Sequence, residues 1–139
     1  MAYKKFETEL SVRPDDIDMN NHVHNSKYLD YVLAARYDQM GRCYGMAMDE
    51  FIDKGFSWYQ KAWHIEYKRS ITLADRVTIR TWLHSFDKAD VRVDFQIMKG
   101  VPLKVAADGY FCSTLVNLQT GRAESIPQWI LDHYTQFTE

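Results

Sequence analysis

Near Gly55 the hydrophobic period of the chain changes from helical to extended, and it stays extended as far as Leu118. Before the change, Tyr28, Leu29, Val32, Leu33, Tyr37 and Met40 recur at spacings of three and four. That is one wide apolar stripe on a helix running from about Ser26 to Gly41 or Tyr44. After it, Val77, Ile79, Thr81 and Leu83 alternate with Thr78, Arg80, Trp82 and His84. Val91, Val93, Phe95 and Ile97 alternate in the same way with Arg92, Asp94, Gln96 and Met98. A period of two is the mark of strands with one buried face. Strands are predicted over Phe56 to Ser70, Arg76 to Phe86, Val91 to Lys99 and Leu103 to Leu118. The short connections Asp87-Lys88-Ala89-Asp90 and Lys99-Gly100-Val101-Pro102 make hairpins, so neighbouring strands pair antiparallel.

The flanks complete the pattern. Tyr3 to Arg13 is a further strand, stopped by Pro14, which cannot donate to a sheet ladder. Met46 to Lys54 is a short helix closed by Gly55, and Pro127 opens a last helix over Gln128 to Phe137. Asn25 is the expected N-cap of the long helix, whose buried side should carry Leu29, Val32, Leu33 and Met40. One long helix against an antiparallel sheet of about five strands is an α+β layer arrangement. There are no repeats, and 139 residues are one domain's worth of chain, so residues 1–139 are expected to form a single unit. Such a sheet leaves an edge and a helix end open, which predicts a homodimer or homotetramer.

Composition narrows the function classes. Net charge is -2 with no basic stripe, which argues against nucleic acid as a partner. No apolar run approaches the roughly 20 residues that span a bilayer, so no membrane partner is expected. The opening Met1-Ala2-Tyr3-Lys4-Lys5-Phe6-Glu7 has no apolar run of signal-peptide length. Cys43 and Cys112 are too few for a disulfide framework and lack zinc-like spacing. Reduced thiols in a cytoplasmic protein are the expectation.

Polar, chemically competent residues crowd together at one place, the loop before the long helix. Asp16, Asp18, Asn20, His22, His24 and Asn25 fall between Asp15 and Ser26. The helix that follows begins with unpaired backbone N–H groups and a partial positive charge. Such a terminus can receive a carbonyl oxygen as it becomes an oxyanion. A carboxylate beside it can attack the carbonyl or deprotonate a water. Acid, amide, imidazole and helix start together point to acyl transfer to water. Asp and Asn also serve as ordinary turn and cap residues, and that structural use competes with the chemical one.

The segment Asp16-Ile17-Asp18-Met19-Asn20-Asn21-His22-Val23-His24-Asn25-Ser26-Lys27-Tyr28 resembles the D-x-D-x-N-x-H-V-x-N-x-x-Y signature of hot-dog-fold thioesterases. It is similar to the 4-hydroxybenzoyl-CoA thioesterase superfamily and, within it, to the acyl-ACP thioesterase branch. The resemblance runs from about Tyr3 to Leu118 and implies a sheet wrapped around one long helix. It implies hydrolysis of an acyl-CoA or acyl-ACP substrate without a cofactor. By position, Asp18 matches the family's catalytic aspartate, and Asn20 and His22 match the amide and imidazole that assist it. His24 and Asn25 are implied to contact substrate, and Tyr28 to pack the helix start. Two departures stand out. His24 replaces a usual asparagine, and Ser70-Ile71 stands where plant enzymes carry Glu-Cys, so their extra acid is absent. Those enzymes carry two units per chain, so the resemblance too implies a homodimer here.

Other residues are given plainer roles. His22 and His24 with Asp16 and Asp18 form no helical H-x-x-x-H and have no cysteine partner, which speaks against a metal site. His64 and Glu66 share a strand face as a solvated edge, and Cys112 is a core thiol. Lys68, Arg69, Arg80 and Arg92 are cations on predicted strands; surface charge is the first reading, and contact with the phosphates of CoA is the alternative. Two function classes remain: a thioester hydrolase, and a non-catalytic module that binds acyl thioesters.

Overall fold

A computed structural model describes residues 2–139. The strands are β1 (Phe6–Ser11), β2 (Phe56–Tyr67), β3 (Arg76–Asp87), β4 (Asp90–Lys99), β5 (Lys104–Asn117) and β6 (Arg122–Ala123). The helices are α1 (Tyr28–Arg42), α2 (Met48–Asp53) and α3 (Gln128–Thr135). The strands form one curled antiparallel sheet in the order β1-β3-β4-β5-β2, with the short β6 beside β5. This is the α+β hot-dog arrangement, one long helix held by one sheet.

The alternation seen in the sequence sets which face of the sheet meets α1. Val77, Ile79, Thr81 and Leu83 of β3 are buried, as are Val91, Val93, Phe95 and Ile97 of β4. With Ala107, Phe111 and Leu115 of β5 they form one core under the helix. At roughly 25 cal/mol per Å² of apolar surface, each fully buried Ile, Leu or Phe there contributes about 1.5–3 kcal/mol.

The helix is turned differently from the expectation. Val32 and Met40 are buried, but Leu29 and Leu33 are only half-buried. The side against the sheet carries Tyr28, Tyr31, Val32, Ala35, Arg36 and Gln39 instead. Leu29, Leu33 and Tyr37 lie four apart along a flank, and the wide apolar stripe contained both sides at once. Gln39 is fully buried because every polar atom of its amide is used. Its Oε1 accepts from the Thr81 hydroxyl, and its Nε2 donates to Thr8 Oγ1 (3.1 Å) and the Ile79 carbonyl (3.4 Å).

Several element ends moved: β2 stops at Tyr67, short of Ser70, and the short and last helices are trimmed to Met48–Asp53 and Gln128–Thr135. The first strand is shorter than Tyr3 to Arg13, and Tyr3 forms an isolated bridge with Thr138. The long helix is entered through a 3-10 turn, Asn25–Lys27. Its cap is the His24 imidazole, whose Nδ1 accepts from the Ser26 N–H at 3.1 Å, and not Asn25 as expected. The tighter turn starts one residue earlier than an α-helix beginning at Ser26 would.

β2 is a 12-residue strand at the sheet edge, hydrogen-bonded on one side only, to β5. Its register shifts between Gln60 and Ala62. Phe56, Trp58 and Gln60 are half-buried before the shift, and Trp63 and Ile65 after it. The extra residue changes the parity of the strand's inward face. Among the described residues, no helix is long and apolar enough to cross a membrane.

Candidate active site

The polar loop folds back on itself before α1 begins. Ile17 and Val23 form a bridge, and the Asp18 N–H donates to the His22 carbonyl at 2.8 Å. Asn21 sits at the tip with φ of 59°, a left-handed conformation that asparagine tolerates better than most residues. The Asp18 side chain closes the turn: its Oδ1 accepts from the Asn20 N–H (2.9 Å) and the His22 N–H (3.1 Å). Those bonds stabilise the charged form, so the Asp18 carboxyl is held below its ordinary 3.8, the His22 N–H contributing most and the Asn20 N–H next. Among the described residues no hydrogen bond uses Oδ2.

The turn is fastened to the body of the protein on both sides. The Val23 N–H donates to the Ile71 carbonyl (2.7 Å), and the His24 N–H to the Asp16 carbonyl (2.9 Å). Asp16 is buried, and its Oδ2 accepts from the Tyr31 hydroxyl of α1 at 2.7 Å. Burial, followed by that contact with Asp16, pushes the Tyr31 phenol up to about 12. The aspartate that stands first in the signature is thus a buttress between loop and helix.

A cleft of about 310 Å³ opens where this loop meets the end of β2. Asp18, His22, Asn25 and Tyr28 line one side, and Tyr67, Lys68, Arg69 and Ser70 line the other. The Tyr67 hydroxyl donates to the Asn25 carbonyl (3.1 Å), and its ring meets Tyr28 edge-on with centroids 5.0 Å apart. Arg69 donates to the Val105 carbonyl at 2.6 Å, and Lys68 lies 3.8 Å from Asp108. Of the backbone N–H groups leading into the helix, those of Val23 and His24 already have acceptors, whereas no hydrogen bond among the described residues uses the Asn25 N–H.

The expected residues therefore divide. Asp18, His22 and Asn25 come together at the cleft. The Asn20 side chain and His24 are not among its walls, Asn20 giving the turn its N–H and His24 capping the helix entry. The sequence alone reads Lys68 and Arg69 as surface charge first, with the phosphates of CoA as the alternative, and gives Tyr67 no role. The signal available was their position at the end of a long strand, just before Ile71, whose carbonyl docks the loop. His64 and Glu66 make an exposed pair at 3.2 Å, and both cysteines are free and half-buried. No group of three His, Cys, Asp or Glu among the described residues is placed to hold a metal ion.

Solved structures share this architecture across their length at low identity. A DHNA-CoA thioesterase from Staphylococcus aureus superposes with a TM-score of 0.85 at 18% identity, covering 95% of this chain and 89% of its own. YbaW, a probable thioesterase from Escherichia coli, gives 0.82 at 21% identity, with 96% and 98% covered. A hypothetical Staphylococcus aureus protein solved in complex with CoA gives 0.81 at 18% identity, with 100% and 89% covered. No curated protein sequence matches. The model of the thioesterase-like superfamily matches residues 12–133, which takes in the loop, α1 and the strands from β2 to β6. The chain belongs to the thioesterase-like superfamily.

Proposed function

We propose that the protein hydrolyses acyl thioesters carried on a phosphopantetheine thiol, as acyl-CoA or acyl-ACP, giving the free acid and the thiol. The observation that carries this reading is the pairing, in one cleft, of an ionised Asp18 having one uncommitted oxygen with the free Asn25 N–H at the helix entry. Asp18 Oδ2 attacks the thioester carbonyl or draws a proton from water, and the Asn25 N–H takes the oxyanion. His22 stands on the same wall to orient the water or pass a proton to the departing sulfur. Asn20 and His24 act through the turn and cap they hold, and no cofactor enters the chemistry. Lys68 and Arg69 supply cations on the facing wall for the phosphate of the carrier, and a solved structural neighbour is described in complex with CoA.

Thiol release measured over a panel of acyl-CoA and acyl-ACP thioesters tests the proposal. Turnover that rises above the spontaneous rate and vanishes on loss of the Asp18 charge supports it. A folded protein that binds these thioesters without hydrolysing any of them is instead the non-catalytic acyl-binding module.

Residues 1–139 act in this reading as a single hot-dog domain of a cytoplasmic enzyme, with its cysteines reduced. It works as a homodimer, or as a homotetramer built from two such dimers, in which the open edge of β2 finds its pair. Twelve residues of unpaired backbone on a sheet edge are a template for another strand, and a second copy supplies one with matching length. Sedimentation velocity at micromolar concentration should give at least twice the 16.4 kDa chain mass. A stable monomer would overturn the assembly.

A further inference from the structure

A second cavity, about 340 Å³ in volume, lies along α1 beyond the Asp18 cleft. Its walls are apolar, with Met40, Trp58, Phe86, Phe111 and Ile130 among them. One wall residue is out of keeping. Arg36 projects from α1 among these side chains and is only 8% exposed. A guanidinium stays charged in any protein setting. Burying it is costly unless an anion or a full set of acceptors faces it. Here the described residues offer little. Its Nη1 donates to Thr81 Oγ1 at 3.2 Å, and its Cζ stands 5.1 Å from the centre of the Tyr44 ring. No carboxylate of the described residues forms an ion pair with it. Gln39, one turn further along α1, shows the contrast, since each polar atom of its amide is committed. Two other polar groups of the cavity are engaged: Ser113 donates to Gln60 Oε1 (3.2 Å), and the Tyr134 hydroxyl to the Met46 carbonyl (2.8 Å).

We propose that this cavity receives the tail of an acyl group ending in a carboxylate, and that Arg36 is the residue that selects it. The occupant has an apolar stem for the walls and an anionic tip for the fork of Arg36, as an ω-carboxyacyl thioester has. Length follows from the helix. Tyr28 lines the Asp18 cleft and Arg36 lines the cavity, about 12 Å apart along the axis at about 1.5 Å per residue. An extended chain advancing about 1.2 Å per bond covers that distance with on the order of ten atoms. The identity of the thioester rests on the hydrolase reading. In that reaction water adds to the carbonyl, the C–S bond breaks, and the products are a dicarboxylic acid and the carrier thiol. The affinity of the cavity for an anionic tail does not rest on it.

Binding and turnover are measured separately so that the two readings can fail independently. Calorimetric titration uses three non-hydrolysable CoA thioethers of equal chain length, carrying an octyl, an 8-hydroxyoctyl or a 7-carboxyheptyl group. The carboxylated probe should bind the parent about 10- to 100-fold more tightly than the octyl one, as expected for a charge-assisted contact in a buried site. Arg36→Met should erase or reverse that preference, and Arg36→Lys should keep part of it, with thermal melts confirming that both variants fold. In turnover, suberyl-CoA should exceed octanoyl-CoA in kcat/KM by a similar factor. Equal binding of the three probes to the parent overturns the proposal, even with thioester hydrolysis intact. So does a hydroxyl probe that binds as tightly as the carboxylate. A preference for the carboxylate that depends on Arg36, in a protein that hydrolyses nothing, upholds the cavity and defeats the hydrolase reading.

Discussion

Asp18→Asn is expected to lower kcat for thioester hydrolysis by about 10²–10⁴-fold, the range for loss of a catalytic acid–base group, while the protein melts as the parent does. The structure explains why these two outcomes separate. Asparagine keeps a side-chain oxygen for the Asn20 and His22 N–H groups, so the turn retains both of its bonds. What disappears is the charge and the uncommitted oxygen. Asp18→Ala removes the turn bonds as well and should lose activity together with some thermal stability. If the asparagine variant turns over at the parent rate while folded, Asp18 is a turn residue and nothing more.

The pH profile supplies a second reading of the same group. Hydrogen bonds from His22 and Asn20 hold the folded Asp18 below 3.8. Its contribution to stability is therefore complete above the unfolded-state value and is lost as pH falls through the lower, folded one. In the proposed mechanism the same ionisation sets the acid limb of kcat/KM, which should then lie below pH 3.8. An acid limb assigned to Asp18 and found above that value would contradict the hydrogen bonding described.

Gly109→Ala should be the most damaging small substitution in the sheet. Gly109 pairs with Ile65 on one side and Phe95 on the other, so its backbone is fixed by two strands. A Cβ there would stand 1.9 Å from the His64 carbonyl oxygen and 2.8 Å from its carbon. These are main-chain atoms, which cannot rotate away as a side chain would. Relief requires parting β2 from β5, and the expected cost is about 3 kcal/mol. For a chain of this size that is a fall of roughly 6–12 °C in melting temperature. The strain falls on the end of β2 that leads to Tyr67, Lys68 and Arg69, so KM should rise as well. A variant with the parent's melting temperature would show that the two strands are not so closely joined.

The sheet was legible in the sequence because period two is unambiguous over long strands. Val77 to Leu83 and Val91 to Ile97 placed their inward residues correctly, and the two-residue turn Lys88-Ala89 fixed how they pair. The helix was harder, because its apolar stripe was wider than the face the sheet covers. Nothing in the spacing separated Leu33, which walls a cavity, from Val32, which is fully buried. Gln39 and Arg36 were invisible as interior residues: Gln39 is buried by its partners rather than by hydrophobicity, and Arg36 lies inside with Thr81 as its one acceptor among the described residues. In the loop, residue types located the cleft, while the split between Asp16 as buttress and Asp18 as cleft residue needed three dimensions. The far wall at Lys68 and Arg69 comes from a strand end, and that this end meets the loop needed three dimensions.

The shifted register of β2 limits how this protein can change. One half of the strand, with Trp58 and Gln60, walls the apolar cavity, while the other half, with Trp63 and Ile65, faces the core and leads on to the Asp18 cleft. The odd residue between them keeps both halves facing inward although they are out of phase. Straightening the strand with that residue still in place would turn one half inside out. Substitutions on the Trp58 half can therefore reshape the cavity without disturbing the cleft, so new substrate preferences would arise by exchange of side chains there.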